Sequence, residues 1–425
     1  MKFRKTVLIL LLTWTATCVW AQADSARHWG ASVSVNPGNL LKTKQYKGKY
    51  DIGSKKNISV VGEVSYATLP CDSDAFAADY NYPVFSAGVR YSVNNRISFH
   101  RIPDYDWENN TGVDYDSRAG NSLALYGKFN RAFFRSRHIL IDGSLQMGAA
   151  YCHTLYDKND NVDNDLIGSH INIYFGTGVY LTYMLMPEWG LRAGMEYWHL
   201  SNGALNRPNK GANFVGPVLG VSYMPYYKEV LRGRKSALNT SFDKYWFLNF
   251  TAGLGAKTLE EDWNESQWEL SPEHPDFRTE NFHLYMAYSA QADIMYRYAR
   301  RWATGVGFDV NYGSYASRIE ERDQQKHFTD KHSPWSAGIS VKHQTYFHQI
   351  SANVSLGYYF YREMGHRAKK VEKRYYETVG LQYHFPTLAG LALGFRVKAH
   401  LFKADYTELM LSCPIYLKKG AGNGR

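Results

Sequence analysis

The feature that most restricts this 425-residue chain is period-two alternation of apolar with small or polar residues, sustained over about ten residues at a time. Ile171, Ile173, Phe175, Val179, Leu181 and Tyr183 alternate with Asn172, Tyr174, Gly176, Gly178, Tyr180 and Thr182. The same pattern sets Phe282, Leu284, Met286, Tyr288, Ala290, Ala292 and Ile294 against His283, Tyr285, Ser289, Gln291 and Asp293. It also sets Leu391, Leu393, Phe395, Val397, Ala399 and Leu401 against Gly394, Arg396, Lys398 and His400. Each stretch therefore makes a strand with one greasy face. A soluble antiparallel sheet alternates too, with its greasy face inside. What favours a transmembrane barrel is the number of such strands, their position after an export leader, and the lack of helical patterning between them.

That leader has a charged start, Met1-Lys2-Phe3-Arg4-Lys5, an apolar run from Val7 to Trp20, and small residues at Ala21-Gln22-Ala23. This is a signal peptide over 1–23, with the mature chain beginning near Gln22 or Asp24. Cys18 invites comparison with a lipoprotein acylation site, but Thr15-Ala16-Thr17 before it is a poor lipobox, and the residue is expected to leave with the leader. Beyond the leader, no apolar run approaches the roughly 20 residues of a spanning helix. The 34 Tyr and 11 Trp suit the aromatic girdles of a barrel. The formal charge of +10, part of which departs with Lys2, Arg4 and Lys5, suits lipopolysaccharide phosphates or anionic lipids. Export removes nucleic acid from the candidates. Cys71, Cys152 and Cys413 form neither a disulfide framework nor a metal-ligand spacing and are read as structural.

The alternation predicts strands at 28–35, 57–68, 83–93, 120–131, 138–151, 171–185, 189–201 and 213–225. A second set follows at 244–257, 281–297, 301–313, 334–347, 349–362, 374–385, 389–402 and 406–417. The expected class is an all-β antiparallel transmembrane outer-membrane barrel of about 16 strands, as one wide barrel or two tandem ones. The division is a unit over 24–226, a basic linker over 227–243 (Lys228, Arg232, Arg234, Lys235), a second set over 244–417 and a tail over 418–425. Connections mostly alternate long and short, so the loop after residue 201 is expected outside the cell. Two connections break that rhythm, 69–82 and 225–243. Gly190-Leu191-Arg192-Ala193-Gly194 before His199-Leu200 is faintly echoed by Gly390-Leu391-Ala392-Leu393-Gly394 before His400-Leu401, which suggests duplication.

The strand before that loop places Leu191, Ala193, Met195, Tyr197, His199 and Ser201 on one face. Arg192, Gly194, Glu196, Trp198 and Leu200 take the other. An imidazole and a hydroxyl thus share the outer end of a lipid-facing row, close enough for the ring to take the Ser201 proton. Asn213 has the outward parity of the next strand and is expected across the hairpin from His199. Glu196 points to the lumen and is not the expected partner. A His and a Ser two residues apart are in themselves ordinary.

The run Leu166-Ile167-Gly168-Ser169-His170-Ile171-Asn172, then Trp189-Gly190-Leu191-Arg192, His199-Leu200-Ser201-Asn202 and Pro208-Asn209-Lys210-Gly211, raises that pair above chance. It resembles the PagL-type lipid A 3-O-deacylases, a family of eight-stranded outer-membrane barrels, closely over about 165–225. The resemblance implies a carboxylic ester hydrolase that removes an ester-linked, 3-O, 3-hydroxyacyl chain from lipid A. It implies Ser201 as nucleophile and His199 as general base. The backbone amides around Gly203 and Ala204 would form the oxyanion hole, with Asn209 shaping the loop. The best-known members of the family carry Glu where this chain has Asn213, so the third group here is an amide. Such chemistry needs no metal and no cofactor. Arg207 and Lys210 are expected near the lipid A phosphates, with lipopolysaccharide and outer-membrane lipid as partners. The rival reading is a lapsed enzyme, a structural or porin-like barrel whose second strand set completes a channel. The sequence leaves the oligomeric state open.

Overall fold

The computed structural model describes residues 27–41, 50–102, 113–232, 242–370, 372 and 374–417. The expected leader (1–23), most of the basic linker and the tail (418–425) lie outside the described residues. The first half contains β1 (Trp29–Leu40), β2 (Tyr50–Ile52), β3 (Lys56–Ala67), β4 (Val84–Val93), β5 (Ser98–Arg101), β6 (Ser117–Arg118), β7 (Ser122–Arg135), β8 (Ile139–Cys152), β9 (Ile171–Met184), β10 (Trp189–Ser201) and β11 (Ala212–Tyr223). The second contains β12 (Tyr245–Lys257), β13 (Tyr285–Ala299), β14 (Trp302–Gly313), β15 (His332–Phe347), β16 (Ile350–Met364), β17 (Tyr375–His384), β18 (Ala392–His400) and β19 (Lys403–Tyr416). Eight long strands close in each half, β1 onto β11 and β12 onto β19, giving two antiparallel barrels in tandem. The alternative of one wide barrel is thereby decided.

Alternation sorts the side chains as expected. Outward positions carry Val33, Leu125, Leu219, Val306, Leu356 and Leu409, all exposed. In the first lumen, Glu196 accepts hydrogen bonds from Arg90, Asn36, Tyr180 and Gln146, and Lys128 pairs with Glu63 at 2.9 Å. In the second, Lys342 reaches Asp309 (2.9 Å) and Asp293, and Arg396 reaches Glu408 and Gln291. Buried charge is tolerable only when paired and hydrogen-bonded, and these lumens satisfy that condition. The cavity in the first lumen holds about 10 Å³ and that in the middle of the second about 20 Å³, while the second widens at its near end to about 270 Å³ between Phe247, Arg297, Gln344 and Tyr346. Aromatic pairs mark both ends, with Tyr312 against Trp335 and Tyr358 against Tyr375 at the far end and three pairs at the near end, where β1 begins. Trp29 meets Tyr66, Trp189 meets Tyr223, and Trp246 meets Tyr296.

The structure adds what alternation does not show. Among the described residues five short α-helices lie in the connections, the longest Ala316–Gln325. The short strands β2, β5 and β6 form a sheet whose Tyr50 and Phe99 pack with Trp198, Leu200 and Phe214. The two arrhythmic connections have clear tasks. The 69–82 segment carries helix Ala75–Asp79 to the second barrel, where the Tyr80 hydroxyl donates to the Tyr346 carbonyl (2.9 Å) and His348 meets Asp74 (2.8 Å). In 225–243, Tyr226, Tyr227 and Val230 pack against Leu69 and Met184 at the near end of the first barrel.

At the far end, Tyr156 stacks edge-on against Trp263 (4.7 Å) and its hydroxyl accepts from Gln267 (2.8 Å). Beside this contact Glu260 accepts from Arg367 (2.6 Å) and Lys403. Burial alone would raise the Glu260 carboxyl, but the Arg367, Lys403 and Arg207 cations overcome it and hold it down to about 2.

Two outcomes follow for stability. Removing the carboxylate with Glu196→Ala leaves buried Arg90 uncompensated and is expected to cost about 3–5 kcal/mol; unchanged unfolding of the detergent-solubilised barrel would refute the lumen network. Because the folded value for Glu260 lies below the unfolded one, its contribution is complete above about pH 4.5 and declines toward pH 2. The stability gap between wild type and Glu260→Gln should therefore shrink on acidification, and a gap constant from pH 7 to 2.5 would refute it.

Candidate active site

The site rests on the register of three strands. His199 lies opposite Asn213 of β11 and opposite Phe175 of β9, and Ser201 lies opposite Ile173. Trp198 and Leu200 are buried inward, while Leu191 and Met195 of the outward row are exposed. His199 and Ser201 close that row, half-buried at the far rim.

His199 Nδ1 is 2.8 Å from Asn213 Oδ1, and the Tyr197 hydroxyl donates to the same oxygen at 2.6 Å. An amide oxygen only accepts, so Nδ1 is the protonated ring nitrogen and Nε2 keeps its lone pair. Tyr197 was not singled out in the sequence, although it occupies the outward row two residues before His199. The Ser201 hydroxyl makes no hydrogen bond among the described residues, and nucleophile–base contacts in unliganded sites are often long until substrate arrives.

The 202–211 loop is folded by its own motif. The Asn202 amide donates to Asn209 Oδ1 (3.0 Å), and the Asn202 side chain donates to Ser169 Oγ (3.0 Å) and the Asn206 carbonyl (3.1 Å). Gly203 and Ala204 both have left-handed backbones, φ +63° and +72°. Gly211 is left-handed as well, and a Cβ there would lie 2.6 Å from His199 Cε1. The motif glycine thus lets the backbone press against the imidazole. Gly168 plays a similar part, since a Cβ would meet the Arg207 carbonyl at 2.5 Å.

Arg207 is buried, its guanidinium donating to the Thr258 carbonyl (2.7 Å), and Lys210 pairs with Asp165 (2.6 Å). Contact of either cation with a phosphate would require exchanging these partners. Glu196 lies in the lumen, on the opposite face from His199. The echo in the second half yields no counterpart. His400 is buried on the lumen side, and it pairs with Lys403 across a two-residue turn, which leaves no room for a loop like 202–211.

Residues 12–222 match the model of the lipid A 3-O-deacylase (PagL) family, and residues 244–415 match the acyloxyacyl hydrolase C-terminal domain. No curated protein sequence matches the chain. Among solved structures, the chain is similar to the Pseudomonas putida toluene transporter TodX, 9% identical over 93% of this chain and 89% of that one, TM-score 0.17. It is also similar to a triple mutant of Rhodopseudomonas blastica porin, 8% identical over 91% and 99%, TM-score 0.16. At these TM-scores neither likeness carries an argument about architecture or transport. Between them the family matches span the barrel that holds His199 and Ser201 and the barrel beside it, and the chain belongs to the PagL family of lipid A deacylases, carboxylic ester hydrolases that act on lipid A.

Proposed function

We propose that the protein, exported by its leader into the outer membrane, removes a 3-O-linked 3-hydroxyacyl chain from lipid A by a Ser201-His199-Asn213 mechanism. The observation that carries this reading is the 2.8 Å contact from His199 Nδ1 to Asn213 Oδ1, which leaves Nε2 free on the face and rim that carry Ser201. The exposed side chains of Ile171, Met195 and Leu205 supply apolar surface around the pair for acyl chains.

The Ser201 hydroxyl attacks the acyl carbonyl as its proton passes to His199 Nε2. Backbone amides around Gly203 and Ala204 hold the oxyanion, each donor contributing roughly 3–4 kcal/mol to the transition state. His199 then protonates the departing sugar oxygen, leaving the acyl group on Ser201. Water deprotonated by His199 attacks this ester and releases the 3-hydroxy fatty acid. Asn213 orients the ring without neutralising the imidazolium, and Arg207 and Lys210 brace the loop. The ion pairs that cross the middle of each lumen argue against the porin-like alternative.

Mass spectrometry of lipid A from cells expressing each variant tests the assignment. Wild type should remove one acyl chain, and Ser201→Ala none; retained deacylation by Ser201→Ala would refute the nucleophile, and an unmodified wild-type profile would refute the activity. Asn213→Glu should act faster than wild type, because a carboxylate stabilises the imidazolium, and Asn213→Ala slower. Gly211→Ala, strained at φ +72° and crowding the imidazole, should lose at least about tenfold in rate with the barrel intact, as expected when a catalytic group is misplaced by an ångström.

A further inference from the structure

The oxyanion loop of the first barrel is held by the second. The Ala204 carbonyl accepts two hydrogen bonds from Thr258, one from its backbone N–H (2.8 Å) and one from Oγ1 (3.0 Å). The Gly203 carbonyl accepts from Thr407 Oγ1 (3.2 Å). Arg207, from the same loop, returns two donors to the Thr258 carbonyl. Thr258 directly follows β12, and Thr407 lies on β19 opposite Ala256 of β12, so both sit by the strand pair that closes the second barrel. The approach is close, since a Cβ on Gly203 would lie 2.0 Å from Thr407 Oγ1.

From these contacts we infer that Thr258 and Thr407 are positioning residues for the oxyanion hole, so that the second barrel completes the active site of the first. The inference rests on the Ser201 reading above. In a planar trans peptide the C=O and N–H point in opposite directions. Thr407 draws the Gly203 carbonyl toward the second barrel, which turns the Ala204 N–H away from it. Thr258 fixes the next peptide in the same way, directing the Leu205 N–H back to the Asn202 carbonyl, where it makes a 3.3 Å bond that closes the turn. Two consecutive left-handed residues, one of them alanine, cost conformational energy that contacts from outside the loop must offset. A loop that relaxed out of this shape would lose the direction of its amides while leaving Ser201, His199 and Asn213 in place on their strands.

The test is steady-state hydrolysis of purified lipid A in detergent micelles by the full-length protein, with released fatty acid quantified across substrate concentration. Thr407→Val and Thr258→Val each remove a hydroxyl donor while keeping the side-chain shape. Each is expected to lower kcat about tenfold with KM unchanged, and the double variant about a hundredfold, the lower end of the range for loss of one oxyanion donor. Thr407→Ser and Thr258→Ser should restore most of the rate, which a loss of folding or of barrel contact would not predict. Wild-type kcat in the double Val variant, with Ser201→Ala inactive, would overturn the positioning role alone. Full activity in Ser201→Ala would overturn the underlying site. A fall in kcat that the Ser variants fail to restore would also overturn the hydroxyl assignment.

Discussion

In hydrocarbon a backbone amide has no solvent to fall back on, so every spanning strand must be paired on both sides and a sheet must close on itself. Here that constraint is met twice, where β1 returns to β11 and where β12 meets β19. The first closure determines the geometry on which the proposed chemistry rests. Because β11 is paired with β1 on one side and β10 on the other, the β10–β11 register cannot slide, and His199 stays opposite Asn213. A slip of one residue would turn His199 into the lumen and bring Trp198 to the lipid.

Parity made much of the site legible. Counting by twos places His199, Ser201 and Asn213 outward and Glu196 inward, as found. It does so because the side-chain period of a strand is set by covalent geometry rather than by context. Which strand closes on the first is a different kind of question. The pairing of β1 with β11 rather than with β19 is decided by contacts far apart in the chain, and sixteen alternating segments look the same either way. The connections were less legible still. Helix Ala75–Asp79 is too short to announce itself by periodicity, and the destination of Arg207 depends on the Thr258 carbonyl of another barrel. Tyr197 lay in view, in the outward row, but its role emerges only once Asn213 is placed beside it.

The two halves share an architecture and differ at their rims. Both have eight long strands and a lumen cross-linked by buried ion pairs. In the first, β10 and β11 are joined by a ten-residue loop that can fold around an oxyanion. In the second, β18 and β19 are joined by Leu401 and Phe402 alone, and His400 turns inward. What the second half presents beside that loop is Thr258 and Thr407, hydrogen-bonded to its carbonyls, and fixed contacts of this kind favour a preorganised hole, since donors that must reorganise during the reaction give up much of their stabilisation.

The amide at 213 shifts the problem from charge to orientation. A carboxylate can only accept, so it selects the productive imidazole tautomer whichever way it turns. A carboxamide flipped by 180° would offer NH2 to Nδ1 and favour the ring with its proton on Nε2, which cannot act as a base. In the present orientation Oδ1 accepts from both the Tyr197 hydroxyl and His199 Nδ1. The flipped amide would place its NH2 against both the Tyr197 hydroxyl and Nδ1 and break the present pair of bonds. In such a site the orientation of the amide matters as much as its presence.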